Sequence, residues 1–335
     1  MDVYIDNIVI NRSISWDFPL CFTTFNDSLW IGMCCGKIYR KHKNKLIEYP
    51  NNHVEVICFK VYNGILYSGG KDKNRDGNIL MWNEKGECIK EIITNNNNRF
   101  GSYKGTKFIE VFNNKIYCSF QMYGMINIYS LNGDFIHSIY ADKDDKNIGN
   151  TNIQLMKLCN DKLFIGRFQY TLSYLDENHD FHNFWNNDEI WDVYDITFYQ
   201  NKYYIAGREI LIVDTNKTLV HTLKHRCNIK IHNNLIYTRI DNDVYIYDAS
   251  YKLVKIIDHN IHHKEDHFYV TPFIHKDLII ISYYYHNSMY VYGEYYPHQY
   301  PTLPPSQKNK LKTWRRYHWF IQKDLKFLFE RELLL

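Results

Sequence analysis

The sequence predicts an all-β protein, a seven-bladed β-propeller with an appended C-terminal helix. A polar turn followed by an apolar strand recurs seven times, and successive copies are 32 to 50 residues apart. That spacing brackets the roughly 40 to 45 residues of a propeller blade. The strand-length runs are rich in β-branched and aromatic residues, which is typical of short antiparallel strands. The turns begin at Asn26, Asn63, Asn113, Asn160, Gln200, His232 and His275.

The clearest copy of the repeat extends from Val54 to Ile93. It contains four strand-like runs, and Asn63-Gly64 between the first two is a strong hairpin signal. A single sheet of four short strands buries too little apolar surface to be stable alone. We therefore expect the copies to pack face to face around a common axis.

The two ends of the repeat array predict how the ring closes. The seventh copy has three strands and is followed by a proline-rich linker at 296–305. A surplus strand at Val3–Ile10 precedes the first complete copy, which begins near Pro19. Pairing the N-terminal strand with the seventh copy would cover an exposed sheet edge. Residues 1–295 are thus expected to form the propeller, with blade 7 completed by residues 3–10.

The second copy resembles a WD40 repeat. The run Asn78–Asn83 follows Asp76-Gly77, as in the signature half of that repeat, although Asn83 stands where the family usually has Asp. The resemblance implies a structural hydrogen-bonded tetrad, matched here by His53, Ser68, Asp76 and Trp82. A kelch-like propeller is the runner-up, because the turn at Asn113–Tyr117 is similar to that family's. Only the second copy has a Gly-Gly doublet, which argues against it.

Composition indicates a reduced, intracellular environment. The chain has neither an apolar run of membrane-spanning length nor a secretory signal pattern, so we expect a soluble, cytoplasmic protein. The eight cysteines include no CxxC pair and fall mostly within strand patterns. Cysteines of this kind are typically small apolar core residues rather than disulfide or zinc sites.

Two polar clusters contain residue types that occur in chemical sites. Six ligand-type residues lie between the sixth and seventh copies, where no helical pattern would gather them, so a solvated loop is expected; they are His259, His262, His263, Glu265, Asp266 and His267. Carboxylates between Asp188 and Asp195 alternate in direction along a strand and are expected to be solvated at the channel mouth. No nucleophile, phosphate-loop, dinucleotide or zinc motif is present. The sequence therefore names no catalytic residue, no metal ligand and no cofactor.

The segment 306–335 departs most from the repeat. It holds eight basic and three acidic residues, a net charge of +5, and its apolar residues fall on one stripe at helical spacing. A basic amphipathic helix is predicted. It could dock on the propeller or another protein, lie on an anionic membrane, or bind nucleic acid. The candidate partner-binding residues are Trp314, Arg315, Arg316, Tyr317, Trp319, Ile321, Lys323, Leu325, Lys326 and Leu328.

From these features the sequence favours a non-enzymatic interaction scaffold or adaptor. Its propeller loops would bind one protein partner and its C-terminal helix would dock on or recruit a second component. The alternative is a hydrolase or lyase with an active site on the propeller axis, because such sites are assembled from several blades and leave no contiguous motif. A further alternative is binding of nucleic acid or an anionic membrane through the basic tail.

Overall fold

The computed structural model describes part of the chain. The described residues are 3–9, 19–42, 45–94, 105–120, 123–140, 153–167, 171–186, 193–224, 228–240, 243–257, 273–275, 278–283 and 288–293. They contain no helix long and apolar enough to cross a membrane.

Every regular element in the described residues is a short strand. In chain order the strands are β1 Val3–Val9, β2 Pro19–Phe25, β3 Ser28–Met33, β4 Ile38–His42, β5 Lys45–Tyr49, β6 Glu55–Tyr62, β7 Ile65–Lys71, β8 Gly77–Trp82, β9 Cys88–Thr94, β10 Thr106–Phe112, β11 Lys115–Phe120, β12 Tyr123–Ser130, β13 Phe135–Tyr140 and β14 Ile153–Cys159. They continue with β15 Lys162–Arg167, β16 Thr171–Leu175, β17 Phe181–Asn186, β18 Asp195–Tyr199, β19 Lys202–Ala206, β20 Ile210–Asp214, β21 Leu219–Leu223, β22 Lys230–His232, β23 Leu235–Ile240, β24 Asp243–Tyr247, β25 Leu253–Ile257, β26 Phe273–His275, β27 Leu278–Tyr283 and β28 Ser288–Gly293.

The strands form antiparallel four-stranded sheets, and the predicted all-β propeller is confirmed. Six sheets each consist of four consecutive strands: β2–β5, β6–β9, β10–β13, β14–β17, β18–β21 and β22–β25. We call these sheets blades 1 to 6. A further sheet has the order β1-β28-β27-β26 and so joins the two ends of the repeat array.

The blades made of consecutive strands therefore number six, one fewer than the seven copies counted in the sequence. The physical reason is that the seventh copy supplies only β26, β27 and β28, and its sheet takes its fourth strand from β1. This composite sheet packs on blade 1. The rings of Phe22 and Phe273 are stacked with centroids 5.9 Å apart, and buried Ile280 joins the core that contains Leu29 and Ile31.

The first strand of each sheet lies at the centre of the molecule. The strands β2, β6, β10, β14, β18, β22 and β26 each contact the next in this order, and β26 contacts β2. Successive residues of a strand point to opposite faces of its sheet, so the side chains on these inner strands are directed toward the blades on either side. Residues far apart in sequence thus meet in one zone around the axis.

The recurring polar turn has a direct structural cause. Asn26 and Asp27 have φ of 46° and 55°, and the equivalent pairs in the other described turns have similar positive values. Two central residues with positive φ define the type I′ turn, whose twist matches that of antiparallel strands and which Asn, Asp and Gly tolerate best. The turn pattern read in the sequence is therefore a backbone requirement.

Side-chain to backbone hydrogen bonds stabilise the turn between the third and fourth strands of a blade. Asn83 Oδ1 accepts hydrogen bonds from the backbone N–H groups of Lys85 and Glu87, each at 3.0 Å. The carboxylates of Asp176, Asp214 and Asp248 accept the same pair of bonds in blades 4, 5 and 6. The side chain at this position replaces the ladder bonds that end at the turn, and Asn performs this role as well as Asp.

The hydrophobic core lies between the blades. Trp30 of blade 1 and Trp82 of blade 2 are almost fully buried, with ring centroids 6.3 Å apart. Blade packing is closest at Gly32, where an added Cβ would lie 2.6 Å from both Cys21 Sγ and Val56 Cγ1. The thiol of Cys21 in turn donates to Val56 O at 3.8 Å. This cysteine therefore acts as a compact residue in the joint between two blades, as predicted.

Candidate functional site

A buried hydrogen-bond network lies inside blade 2. Ser68 Oγ accepts a hydrogen bond from Trp82 Nε1 at 2.9 Å and lies 2.9 Å from His53 Nε2. The other ring nitrogen, Nδ1 of His53, lies 2.7 Å from Asn78 Oδ1. The amide of Asn78 also donates to Glu91 Oε1 at 3.1 Å. Because a carboxylate only accepts, this last bond fixes the orientation of the Asn78 amide.

The network defines the protonation state of His53. Asn78 Oδ1 can only accept, so Nδ1 carries the proton and Nε2 accepts from the Ser68 hydroxyl. Burial lowers the pKa of His53 from 6.5 to about 4, although the bond to Asn78 and the charge of Glu91 oppose the change. The imidazole is therefore neutral at pH 7, and its bonds are those of a structural element that ties three strands together.

Three of the four residues matched to the WD40 tetrad are thus joined: His53, Ser68 and Trp82. The fourth matched residue, Asp76, does not bond to the imidazole, because Asn78 meets His53 Nδ1 and Ser68 meets Nε2. Asp76 lies in the turn before β8, where its backbone N–H donates to Asp72 Oδ1 and its carbonyl accepts from Asp72 N. Asn78 stands on the strand itself, opposite Gly70, whose lack of a side chain leaves room for the imidazole.

A second group of polar side chains lies on the inner strands. The group takes one charged residue from each of five consecutive inner strands, and the signs of these charges alternate along the series. We call this set the inner-strand charge belt; its members are Lys60 on β6, Glu110 on β10, Lys157 on β14, Asp195 on β18 and Lys230 on β22. The belt crosses four joints between blades, so it exists only in the folded ring.

Two ion pairs form the body of the belt. Lys60 Nζ is paired with Glu110 Oε2, and Lys157 Nζ lies 2.6 Å from Asp195 Oδ1. The carboxylates are nearly inaccessible, with side-chain exposures of 9% for Glu110 and 6% for Asp195, whereas the two lysine side chains are 25% and 28% exposed. The ammonium groups are thus the more accessible members of each pair.

Each carboxylate also bonds to the backbone of the next inner strand. Asp195 Oδ2 accepts from the N–H of Ile229 at 3.2 Å, and Glu110 accepts from the N–H of Leu158. Lys107 on β10 likewise reaches the next blade, because its Nζ donates to Ile153 O at 3.0 Å. Inner strands of adjacent blades do not share a ladder, so these side chains satisfy backbone groups that would otherwise be buried without a partner.

Burial and neighbouring charges shift the pKa values of Lys107 and of several belt residues. Burial raises the pKa of Glu110 above its ordinary value, although Lys60 opposes the change. Burial lowers the pKa of Lys107 to about 8, and it lowers the pKa of Lys230, against the attraction of Asp195. Burial alone would raise the pKa of Asp195, but the charges of Lys157 and Lys230 lower it. Glu110 is therefore a stronger base than a free glutamate. The Lys107 ammonium is a stronger acid than that of a solvated lysine, because burial destabilises its charged form.

The structure corrects the expectation for the carboxylate cluster that ends at Asp195. This residue is 4% exposed and ion-paired, so its prediction as a solvated carboxylate at the channel mouth was wrong. The reason is that a lysine from the neighbouring blade faces it, which a sequence pattern within one copy does not reveal. The other members of that cluster, Asp188 to Asp192, lie outside the described residues.

The remaining sequence candidates also lie outside the described residues. They are the histidine-rich segment 259–267 and the whole tail 306–335, including Trp314, Arg315, Arg316, Tyr317, Trp319, Ile321, Lys323, Leu325, Lys326 and Leu328. Their roles stay predictions, as does the division of the chain at residues 295 and 305. Within the described ranges, no group of three or more His, Cys, Asp or Glu side chains is arranged to hold a metal ion.

Sequence reasoning missed the charge belt, although a signal for it was present. When the copies are aligned on their polar turns, Lys60, Glu110, Lys157 and Lys230 each stand two residues before the end of the first strand. A charged residue recurring at one position of a strand that packs at the centre of a ring is unusual, because charged side chains are rarely buried without a partner. Aligning the first strands would have found these four positions, but not Asp195, which is two residues earlier.

Comparison with solved structures shows a β-propeller fold. No protein-family model and no curated protein sequence matches the chain. Virginiamycin B lyase from Staphylococcus aureus is similar in structure, with a TM-score of 0.66 and 14% identity over 87% of this chain and 99% of that one. A catalytically inactive His-to-Ala variant of the same lyase, solved with quinupristin, has a TM-score of 0.65 at 14% identity, covering 87% of this chain and 99% of that one.

A streptogramin B lyase structure is similar to the same degree. Its TM-score is 0.66 at 14% identity, covering 86% of this chain and 97% of that one. A likeness at this level of identity establishes the β-propeller fold. It also overturns the main functional interpretation drawn from the sequence, the non-enzymatic scaffold, because these structural neighbours are enzymes. The alternative of a lyase with an axial site agrees better with them.

Proposed function

We propose that this protein is a lyase whose active site lies at the inner-strand charge belt. The observation that carries the proposal is Glu110, a buried carboxylate on an inner strand, paired with Lys60 and within the electrostatic influence of Lys157. Its pKa is raised by burial, and raised carboxyl pKa values beside specific charged partners are frequent at functional sites. The fold likeness to lyase propellers supports the same reaction class.

The chemistry of an elimination suits these groups. A base removes a proton from a carbon next to an acyl group, the C–H electron pair becomes part of a C=C bond, and the bond to the leaving group breaks with its electrons going to that group. We assign the base to Glu110. The Lys60 and Lys157 ammonium groups, which are more exposed than the carboxylates, would stabilise the negative charge that develops on the acyl oxygen and the leaving group.

A substrate test separates lyase from hydrolase activity. The full-length protein is incubated with quinupristin and with a panel of acyl esters that carry a leaving group two carbons from the carbonyl, and the products are identified by chromatography and mass spectrometry. Elimination gives products whose masses together equal that of the substrate, whereas hydrolysis adds one water. Products of the first kind support the proposal, and turnover only by addition of water contradicts it.

Variants then test the assignment of the base. Glu110→Gln keeps the shape of the side chain but removes the proton acceptor, so turnover should fall by about 10² or more. Glu87→Gln, at an exposed position in the turn before β9, is the matched control and should leave turnover unchanged. Equal turnover in the wild-type protein and Glu110→Gln would remove the basis of the assignment.

We also propose that blade 2 is a divergent WD40-type blade. The joined side chains of His53, Ser68 and Trp82 support this, and the position of Asn78 in place of an aspartate is the departure from that pattern. The proposal concerns the origin of the repeat and does not alter the assignment of the site.

A further inference from the structure

A chain of three hydrogen-bonded side chains joins blade 3 to blade 4. Tyr117 on β11 and His137 on β13 belong to blade 3, and His179 lies in the turn between β16 and β17 of blade 4. Tyr117 Oη lies 3.0 Å from His179 Nε2, and His137 Nε2 lies 3.1 Å from His179 Nδ1. Both ring nitrogens of His179 are therefore bonded to the neighbouring blade. We call these three side chains the imidazole bridge.

His179 occupies a strained position in its turn. Its φ is 67°, whereas glycines occupy the equivalent position in blades 2 and 3, Gly86 with φ of 82° and Gly133 with φ of 81°. Positive φ is unfavourable for residues other than glycine. Asp176 anchors the turn, because its Oδ1 accepts from two backbone N–H groups and its Oδ2 lies 2.8 Å from His182 Nε2. The contacts of the imidazole with blade 3 offset the strain, and the anchored turn holds the ring in place.

Hydrogen bonding limits how many protons the imidazole bridge can hold. When both imidazoles are neutral, His179 donates through one ring nitrogen and accepts through the other. One added proton is compatible with the bridge, since His179 can then donate to both Tyr117 Oη and His137 Nε2. A second added proton places two N–H groups face to face at the contact between His137 and His179, and neither can accept. Burial raises the pKa of Tyr117 to about 12, so its hydroxyl stays neutral throughout.

The charges around His179 act in opposite directions on its protonation. Burial is the largest cause of its lowered pKa, and the charges of Lys115 on β11 and His137 on β13 add to the effect. Asp176 and Asp180, in the turn that carries His179, oppose the change. Blade 3 therefore disfavours a proton on His179, and the carboxylates of its own turn favour one.

We propose that the imidazole bridge makes the joint between blades 3 and 4 acid-sensitive: the joint stays closed while the two imidazoles hold at most one added proton, and the turn between β16 and β17 separates from blade 3 when both are protonated. Separation exposes the ring of Tyr117, which is fully buried in the closed joint. Each blade keeps its own strand ladder. This behaviour does not depend on turnover, so it is separate from the lyase assignment.

The direction of the pH dependence follows from His179. In the separated state its imidazole is solvated and has its ordinary pKa of 6.5, whereas in the closed joint the pKa is lower. The separated state therefore binds a proton more readily, and separation is favoured as pH falls below 6.5. For one proton taken up, the effect reaches at most about tenfold in the opening equilibrium per pH unit.

Hydroxyl-radical footprinting of the full-length protein, followed by mass spectrometry, measures whether Tyr117 becomes accessible to solvent. Labelling is compared at about pH 7.5 and about pH 5.5, on either side of the ordinary imidazole pKa. Tyr117 should be labelled several-fold more at the lower pH. Tyr67 is the internal control, because it is also buried, at 2% exposure, and is likewise the third residue of the second strand of its blade. It should stay protected at both pH values.

His137→Gln tests the dependence on the pair. The amide can still bond to His179 Nδ1 but has no titrating group, so no second charge arises opposite His179 and Tyr117 should stay protected at both pH values. His221→Gln is the matched control, since it removes an exposed imidazole that stacks on Tyr251, and it should keep the wild-type response. NMR titration of the wild-type protein needs no substitution, and the two imidazoles of the bridge should gain their protons in two separate steps.

Four results would overturn the proposal. Equal labelling of Tyr117 at both pH values would show that the joint does not open in acid. The same increase in His137→Gln as in the wild-type protein would show that opening does not depend on the histidine pair. An equal increase at Tyr67 would indicate unfolding beyond this joint. A single titration step of His137 and His179 at their ordinary pKa would show that the two imidazoles are not coupled.

Discussion

Stability should fall steeply in mild acid because of one buried imidazole. His53 is 7% exposed, and burial lowers its pKa from 6.5 to about 4. In the unfolded chain the imidazole is solvated and has its ordinary pKa. Between about pH 4 and pH 6.5 the unfolded state therefore binds a proton that the folded state does not. Acidification through this window favours unfolding, so the contribution of His53 is fully present above the window and is lost below it.

The magnitude follows from the two pKa values. A difference of about 2.5 between them corresponds to roughly 3 kcal/mol once the pH is below both. Between about pH 7 and about pH 5 the same relation gives a loss of roughly 2 kcal/mol. The protein has 16 histidines, so the total pH dependence contains other contributions. The prediction concerns the part that disappears when His53 is replaced.

Urea unfolding followed by tryptophan fluorescence at the two pH values measures that part. His53→Gln keeps a polar side chain but has no titrating group, so the wild-type protein should lose roughly 2 kcal/mol more than the variant between about pH 7 and about pH 5. His221→Gln, which removes an exposed imidazole, is the control and should keep the wild-type dependence. The same pH dependence in the wild-type protein and His53→Gln would refute the reasoning, and so would an imidazole NMR titration that gave His53 its ordinary pKa.

Three other predictions follow from contacts between strands. Lys157→Met leaves the Asp195 carboxylate buried without its cation and should lower the unfolding free energy by about 3–5 kcal/mol. Adding Asp195→Asn should recover most of this loss, and a double variant no more stable than the single one would argue against the pair. Trp82→Phe removes the hydrogen bond to Ser68 and should lower the unfolding free energy in urea by roughly 1–2 kcal/mol, whereas an unchanged midpoint would mean that this bond contributes little. Deleting residues 1–11 removes β1 and exposes the edge of β28, so Tm should fall and light scattering should reveal association; a truncated protein with wild-type Tm would contradict the closure.

The sequence by itself determined the blade architecture, because local signals specify it. The paired positive φ values at Asn26 and Asp27 require residues such as Asn, Asp and Gly, so each hairpin turn can be located from these residue types in the sequence. The runs Phe135–Tyr140 and Leu219–Leu223 form strands because their composition and their flanking turns favour the same local structure. Even the closure was foreseeable, because a surplus strand at one end matches a missing one at the other.

Contacts across several copies could not be read in the same way. Asp76 was matched to the tetrad in place of Asn78 because the two are only two residues apart, and the choice depends on which one stands opposite Gly70 in the sheet. A one-dimensional motif match does not record that register, and an insertion before Asp76 shifts it.

Only the tertiary structure decided the candidate site. Lys60 and Glu110 are 50 residues apart, and Lys157 and Asp195 are 38 apart, yet each pair meets because the first strands of consecutive blades lie side by side at the axis. Each pair joins two different copies of the repeat, so a pattern within one copy reveals neither partner. Ring closure removes the water and supplies the opposite charge from the next blade, and the same burial shifts the pKa values on which any chemistry at the axis depends.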